Sequence, residues 1–496
     1  MPGCKAAPEW LIFIHIFFLK KRAKKLYFCS PLCITIGMNN WIEKELSSVN
    51  LSDKRLNKRF LQIMETLSGH MSESIPSACC SWAETVGAYR FFNNKKVSPE
   101  KLLSPHIERS KERMSSEPVV LCVEDTTYVK HASHLKTKGL GFHSNKKDYG
   151  YFAHCMLALT PQSNCLGVLR QHCWVRDKGF GRRHSQDYRK ESIDEKESFR
   201  WVQGATYVES MASELPDTKL VYVADRESDV YEVFESCSES DFLIRTTGTR
   251  VTPEGKDIKK ALEQNPALGS YELKLPTHLK QKRKKKSATL EIRASSFEIR
   301  GPYRYKQGRL DDRSVTAILV QEIQCHPEDK PIQWILLSSI ECQDFETALQ
   351  LVQWYSCRWN IEIFFNTLKS GCQIESLQLK SFEKLQTCLS VYMLMAWRVM
   401  LLRGCYRSCP QADHKTPTNC EYIFSPIEWK AIWLLRNKSI PNAPAPLCQT
   451  ILELACLGGY LNRKNDPPPG PKVLWKGLQR VRDAVILIQN KTEKCV

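Results

Sequence analysis

Tyr355, Arg358, Glu362 and Lys369 stand in the pattern Y-x2-R-x3-E-x6-K. On an unbroken helix, at about 100° per residue, they fall within roughly 60° of one another and form one narrow polar stripe. Cys357, Ile361, Phe364 and Leu368 lie about 120° round the helix and make the matching apolar face. The stripe gathers a phenol, a guanidinium, a carboxylate and an ammonium. A carboxylate is a hard oxygen ligand for a metal ion, and a cationic pair beside it fits a phosphate. The competing reading is a solvated helix face on which Arg358 and Glu362 pair at i,i+4.

Two further carboxylates stand where a metal site needs them. Val119-Val120-Leu121-Cys122-Val123 runs into Glu124-Asp125-Thr126-Thr127, and Leu220-Val221-Tyr222-Val223-Ala224 runs into Asp225-Arg226-Glu227-Ser228-Asp229. Each is a short, β-branched-rich run ending at an aspartate, which predicts a buried strand delivering a carboxylate to a sheet end. The Val230, Val233 and Phe234 spacing predicts a helix after Asp225, capped by Ser228 or Asp229. A lone aspartate at a strand end is more often a turn or cap residue. Two of them together with Glu362 make a constellation.

VEDTT at 123–127, ADRESD at 224–229 and YSCRWNIEIFFNTLKSG at 355–371 resemble the three catalytic blocks of the IS4-type transposases, the group that includes the Tn5 enzyme. LSDKRLNKRF (51–60), GAYRFFNN (87–94), QWILLSS (333–339) and ACLGGYLN (455–462) have counterparts in the same order, so the resemblance spans about 40–480. It implies an α/β fold with an RNase H-like mixed-sheet core, a β-rich insertion domain, a helical N-terminal DNA-binding domain and a helical C-terminal domain. It also implies a D-D-E triad of Asp125, Asp225 and Glu362 holding two Mg²⁺ ions, for which Mn²⁺ substitutes. In-line phosphodiester displacement needs an activated oxygen nucleophile and a stabilised leaving oxygen, and two ions supply both.

By the same matching, Tyr355, Arg358 and Lys369 hold a phosphate of the uncut strand, Trp359 supports DNA near the site, and Trp334 is the platform for a flipped base. A core strand aromatic is the competing reading of Trp334. Asn366 stands where the Tn5 enzyme carries a basic residue, a departure that bears on one phosphate contact and not on the triad. The implied partners are double-stranded DNA, as transposon end repeats and target, and a second copy of the chain in a homodimer, with no membrane. The implied compartment is the bacterial cytoplasm, nucleoid-associated when DNA is bound. Two other functions share these residues: a metal-dependent nuclease without strand transfer, and a catalytically silent transposase-derived DNA-binding protein.

The organisation follows from the local patterns. Residues 1–37 read as an extraneous extension. Trp10 to Leu19 is an apolar run too short to span a bilayer, and the basic cluster from Lys20 to Lys25 follows it rather than precedes it. Residues 38–115 read as the DNA-binding domain, with a cap near Asp53 and Arg55, Lys58 and Arg59 on the side opposite Phe60, Ile63 and Met64. The catalytic core takes 116–240 and 341–410, the β-rich insertion 241–340, and a helical dimerisation region 411–496. Five strand-like runs are expected in the insertion, with Lys282-Arg283-Lys284-Lys285-Lys286 as a turn gripping DNA, and one long helical segment is expected over 345–371.

Composition agrees with a nucleic-acid partner. The 496 residues carry 72 Lys and Arg against 54 Asp and Glu, a net charge of +18 that favours phosphate backbones. A ribosomal or membrane-surface protein shares that surplus, so charge supports a class rather than an activity. The 21 cysteines include no C-x2-C pair, and scattered reduced thiols are expected. The H-x2-H of His131 and His134 reads as exposed polar residues rather than metal ligands.

Overall fold

The apolar runs that end at Asp125 and Asp225 form parallel strands paired side by side. The computed structural model describes residues 41–79, 81–131, 136–143, 148–176, 192–275, 287–304, 308–409 and 418–493, with side chains to 488. The 1–37 extension, His134, the Lys282–Lys286 run and most of the polar stretch before Phe199 lie outside the described residues. The strands are β1 (Val119–Lys130), β2 (Gly141–Phe142), β3 (Tyr149–Leu159), β4 (Cys165–Trp174), β5 (Lys219–Ala224), β6 (Asp241–Thr246), β7 (Gly269–Lys274), β8 (Ser287–Ile299), β9 (Tyr303–Arg304), β10 (Gly308–Arg309), β11 (Arg313–Ile323) and β12 (Gln333–Ser338). The chain divides into two units, with β1 contributing to both. One holds described residues 118–124 and 192–359; the other holds 41–117, 125–176 and 360–493.

In the first unit the sheet order is β1-β5-β6-β12-β11-β8-β7. β1, β5 and β6 are parallel, and the remaining neighbours are antiparallel. Leu121, Val123, Val221 and Val223 are all fully buried, as strands covered on both faces require. All five strand-like runs of 241–340 form. They do not make a sheet of their own, because β6 pairs with β5 and extends the same mixed sheet. Phe242, Leu243 and Ile244 leave β6 almost without exposed surface, so its hydrogen-bonding edges are used on both sides.

In the second unit the N-terminal segment is helical, with helices at Trp41–Leu46, Lys54–Gly69, Ile75–Ala78, Trp82–Phe92 and Pro99–Met114. Asp53, Ser74, Ser81 and Ser98 cap the last four through side-chain bonds to first-turn N–H groups. β3 and β4 form the expected hairpin, closed by Thr160 N–H donating to Asn164 O at 2.9 Å. The Phe382–Ser408 helix is long and apolar enough to cross a membrane, but 89% of its most apolar window is buried, so it serves as a core helix. The C-terminal helices are Pro426–Leu435, Leu447–Leu457 and Pro471–Glu493.

One expectation about cysteine is corrected here. Cys409, capping the long core helix, is bridged to Cys448 in the first turn of the Leu447–Leu457 helix, with Cα atoms 6.2 Å apart. The two are 39 residues apart in sequence, and only the packing of these helices brings them together.

Candidate active site

β1 presents two adjacent acids, and the pleat separates them. Glu124 is fully buried; Tyr222 on β5 donates to its Oε2 at 2.7 Å. It packs directly on the Phe199–Ala212 helix, where a Cβ added to Gly204 would stand 1.8 Å from that oxygen. Successive strand residues point to opposite faces, so Asp125 turns away from this packing, and it is half-buried. Thr126 N–H donates to Asp125 Oδ1 at 2.7 Å, while the Thr126 hydroxyl lies 2.9 Å from Nδ1 of His154 on β3. Gly204→Ala is expected to displace Glu124 and destabilise the protein by about 1–3 kcal/mol, an overpacking cost. A urea midpoint equal to that of the unaltered protein would contradict this.

The register pairs Val123 with Val223, so Asp125 and Asp225 each follow a paired valine by two residues. Asp225 caps a 3-10 turn over Arg226–Ser228, accepting from Glu227 N–H at 2.9 Å. Among the described residues its Oδ2 accepts no protein hydrogen bond. The expected cap at Ser228 or Asp229 is not what forms: the Tyr231–Ser236 helix starts at Val230 without a side-chain cap. Ser228 instead donates to Asp225 O at 2.6 Å, and Asp229 turns to other partners. Asp229 accepts from the Thr246 hydroxyl at 2.6 Å and from Arg250 Nε at 2.9 Å. Arg200 Nη2 meets Glu227 at 2.6 Å. These bonds fix both ends of the loop that carries Asp225. Asp229→Ala strands a half-buried guanidinium and should cost roughly 2–3 kcal/mol in chemical denaturation.

The expected helix over 345–371 is three segments: Phe345–Ser356, Trp359–Asn366, and a π-helical Thr367–Gly371. Cys357 and Arg358 N–H groups bond three residues back, to Trp354 O and Tyr355 O, which breaks the i→i−4 ladder. The 100° count therefore does not carry across the break, although Cys357, Ile361, Phe364 and Leu368 are all buried as expected. Tyr355 is buried, with the Arg358 guanidinium 6.0 Å from its ring centre.

Glu362 is half-buried on a short helix that is anchored from behind. Arg403 of the long core helix donates to Asn360 Oδ1 at 2.8 Å. Lys369 sits in the π-helical turn. Burial pushes its pKa below the ordinary value, and the nearby Glu375 works in the other direction. Glu375 in turn accepts from Lys130 N–H at the end of β1, at 3.0 Å.

Of the other candidate DNA contacts, Arg55 and Lys58 are exposed, and Arg55 is bonded to Asp53. Arg59 lies against Gly87, whose added Cβ would stand 3.1 Å from the guanidinium. Trp334 is buried on β12 at 5% exposure, so the core reading describes its packing in this conformation. Trp359 is half-buried, and Asn366 is exposed and accepts from Ser370. The Glu124–Tyr222 brace, the Asp229–Arg250 pair and the Arg403–Asn360 anchor escaped the sequence reading. No spacing links their members. Among the described residues, no three His, Cys, Asp or Glu side chains are gathered at metal-ligand spacing.

Three family models match the chain. Residues 38–97 match a transposase DNA-binding domain, 200–397 a transposase DDE domain, and 394–491 the Tn5 transposase dimerisation domain. The chain belongs to the Tn5-like, IS4-family transposases. A transposase of this kind is an enzyme, with DNA-binding, DDE and dimerisation regions in that order, and its mixed-sheet α/β core with helical ends is the fold of the group. The DDE match includes Asp225 and Glu362 and begins after Asp125. Tn5-like transposases of the DDE type depend on divalent metal ions.

Proposed function

We propose that this transposase binds the terminal inverted repeats of its element as a homodimer, cuts DNA there and joins the freed 3′-OH to target DNA. In this reading Asp125, Asp225 and Glu362 hold two Mg²⁺ ions, with Mn²⁺ able to replace them. The donor chemistry fits: three carboxylates, each only half-buried, are hard oxygen ligands with room for water beside them. The observation that supports the reading is the pairing of Val123 with Val223 in β1 and β5, since in each strand an aspartate follows that valine by two residues. Bound divalent ions supply Lewis acidity to the attacking and leaving oxygens of an in-line displacement.

The chain's own residues do the rest. Arg358 and Lys369 hold a phosphate of the strand not being cut, and Tyr355 contributes its hydroxyl as a phosphate ligand rather than as a nucleophile. The half-buried Lys369 gains most from this, because a phosphate offsets the hydration that burial removes. Water is the nucleophile of the first cut and the released 3′-OH that of the second, so the second cut closes a hairpin that water reopens. The boundaries of action are 38–115 for end recognition, 116–240 and 341–410 for chemistry, and 411–496 for pairing of the two copies. The protein acts in the cytoplasm, at the nucleoid while bound to DNA.

The test is incubation with Mg²⁺ and DNA carrying the repeats that flank the gene. Joined products that vanish with Glu362→Gln support the reading. Cleavage without joining would leave a nuclease, and binding with neither would leave a silent DNA-binding protein.

A further inference from the structure

Of the three buried arginines among the described residues, two face a carboxylate: Arg200 meets Glu227, and Arg398 meets Glu428. Arg403 is the exception. It is 5% exposed, and among the described residues its one hydrogen bond is to the neutral Asn360 Oδ1 at 2.8 Å. A guanidinium has five N–H donors, so most of those on Arg403 have no acceptor among the described residues. Arg407, one turn further along the same helix and open to solvent, likewise has no carboxylate partner among the described residues. Among the described residues, the neighbours recorded beside them are neutral. Gly404 packs on Asn164, and the Ser408 hydroxyl donates to Asn164 Oδ1 at 2.7 Å. Burial, with the like charge of Arg407 as the next cause, lowers the Arg403 pKa to about 9. A buried cation left without an anion is costly, and the anion that removes the cost can come from a ligand.

We propose that Arg403 and Arg407 form an oxyanion site for a phosphate group, filled in the working complex by a backbone phosphate of DNA. The DNA source rests on the transposase reading above; the phosphate chemistry does not. The planar forks of two arginines one turn apart suit the paired oxygens of a phosphate, and lysine would not reproduce that geometry. Because Arg403 also holds Asn360, two residues before Glu362, a phosphate here is bonded to the support of that helix.

The full-length protein, Arg403→Gln and Arg407→Gln are compared in two measurements. The first is thermal unfolding in inorganic phosphate against sodium chloride of equal ionic strength. Phosphate should raise the midpoint of the unaltered protein, and each substitution should remove that rise. The second is DNA affinity across salt concentration, where each lost phosphate contact should flatten the log–log slope by about 0.9. Loss of both responses supports the site and its DNA source. Loss of the thermal response with an unchanged slope overturns the DNA source in favour of a free phosphate. No phosphate response in the unaltered protein, with unchanged slopes, overturns the site itself. Arg407 is exposed, so Arg407→Gln keeps the test decisive even where Arg403→Gln fails to fold. Absence of DNA binding by the unaltered protein would count against the transposase reading and leave the thermal test standing.

Discussion

Glu362→Gln is expected to remove strand cleavage and joining by roughly a thousandfold or more, equivalent to several kcal/mol in the barrier. The change keeps the shape of the side chain and takes away one charge and one strong oxygen donor. Glu362 is half-buried, and the helix that carries it is held by the Arg403–Asn360 bond, so folding and DNA binding should persist. Asp125→Asn and Asp225→Asn should behave alike. The informative contrast is Glu124→Gln, one residue before Asp125. Glu124 is sealed between Tyr222 and Gly204, out of reach of solvent, so its substitution should lower stability while sparing the activity of each folded molecule. A silent Asp125→Asn beside a dead Glu124→Gln would reverse the assignment on β1.

Glu45→Ala should cost about 3–5 kcal/mol, the usual penalty for removing one side of a buried ion pair. Glu45 accepts from Arg113 at 3.0 and 2.8 Å and lies 2.5 Å from His106 Nδ1, with His106 wholly buried. Val168 N–H donates to His106 Nε2 at 2.9 Å, so that nitrogen carries no proton and Nδ1–H is the donor to Glu45. The edge of Trp397 closes the cluster, its ring 4.6 Å from that of His106. Four elements of the second unit meet here: the Trp41–Leu46 segment, the Pro99–Met114 helix, β4 and the long core helix.

The same cluster sets a pH dependence. Burial alone would raise the Glu45 pKa, but His106 and Arg113 together hold it near 2, against an ordinary value of 4.5. Its stabilisation is therefore present above pH 4.5 and lost as pH falls toward 2. His106 is also depressed from 6.5, first by burial, so the unfolded chain takes up that proton before the folded one does. Stability should begin to fall as pH drops below 6.5 and fall again below 4.5. Urea midpoints measured from pH 7 to pH 3 would show both phases in the unaltered protein. Glu45→Ala should lack the lower one, and a flat profile would refute the account.

Much of the site could be read from short stretches of sequence. The runs ending at Asp125 and Asp225, the cap at Asp53 and the buried face of Cys357, Ile361, Phe364 and Leu368 are local, because the strand and helix periods repeat within a few residues. The break at Cys357 and Arg358 was hidden, since two backbone bonds slip from i−4 to i−3 without any glycine or proline to mark them. The strands of 241–340 were legible, but not their partner; an edge of β5 offers the same N–H and C=O groups to any strand. Which of Glu124 and Asp125 faces solvent depends on Tyr222, 98 residues away, and on a helix with room at Gly204. The Arg403–Asn360 anchor spans 43 residues and the Cys409–Cys448 bridge 39. The sequence by itself determined the residue types, their local elements and the family. Tertiary structure decided which charged groups are buried, braced or left to a ligand, because desolvation and pairing depend on neighbours that only folding supplies.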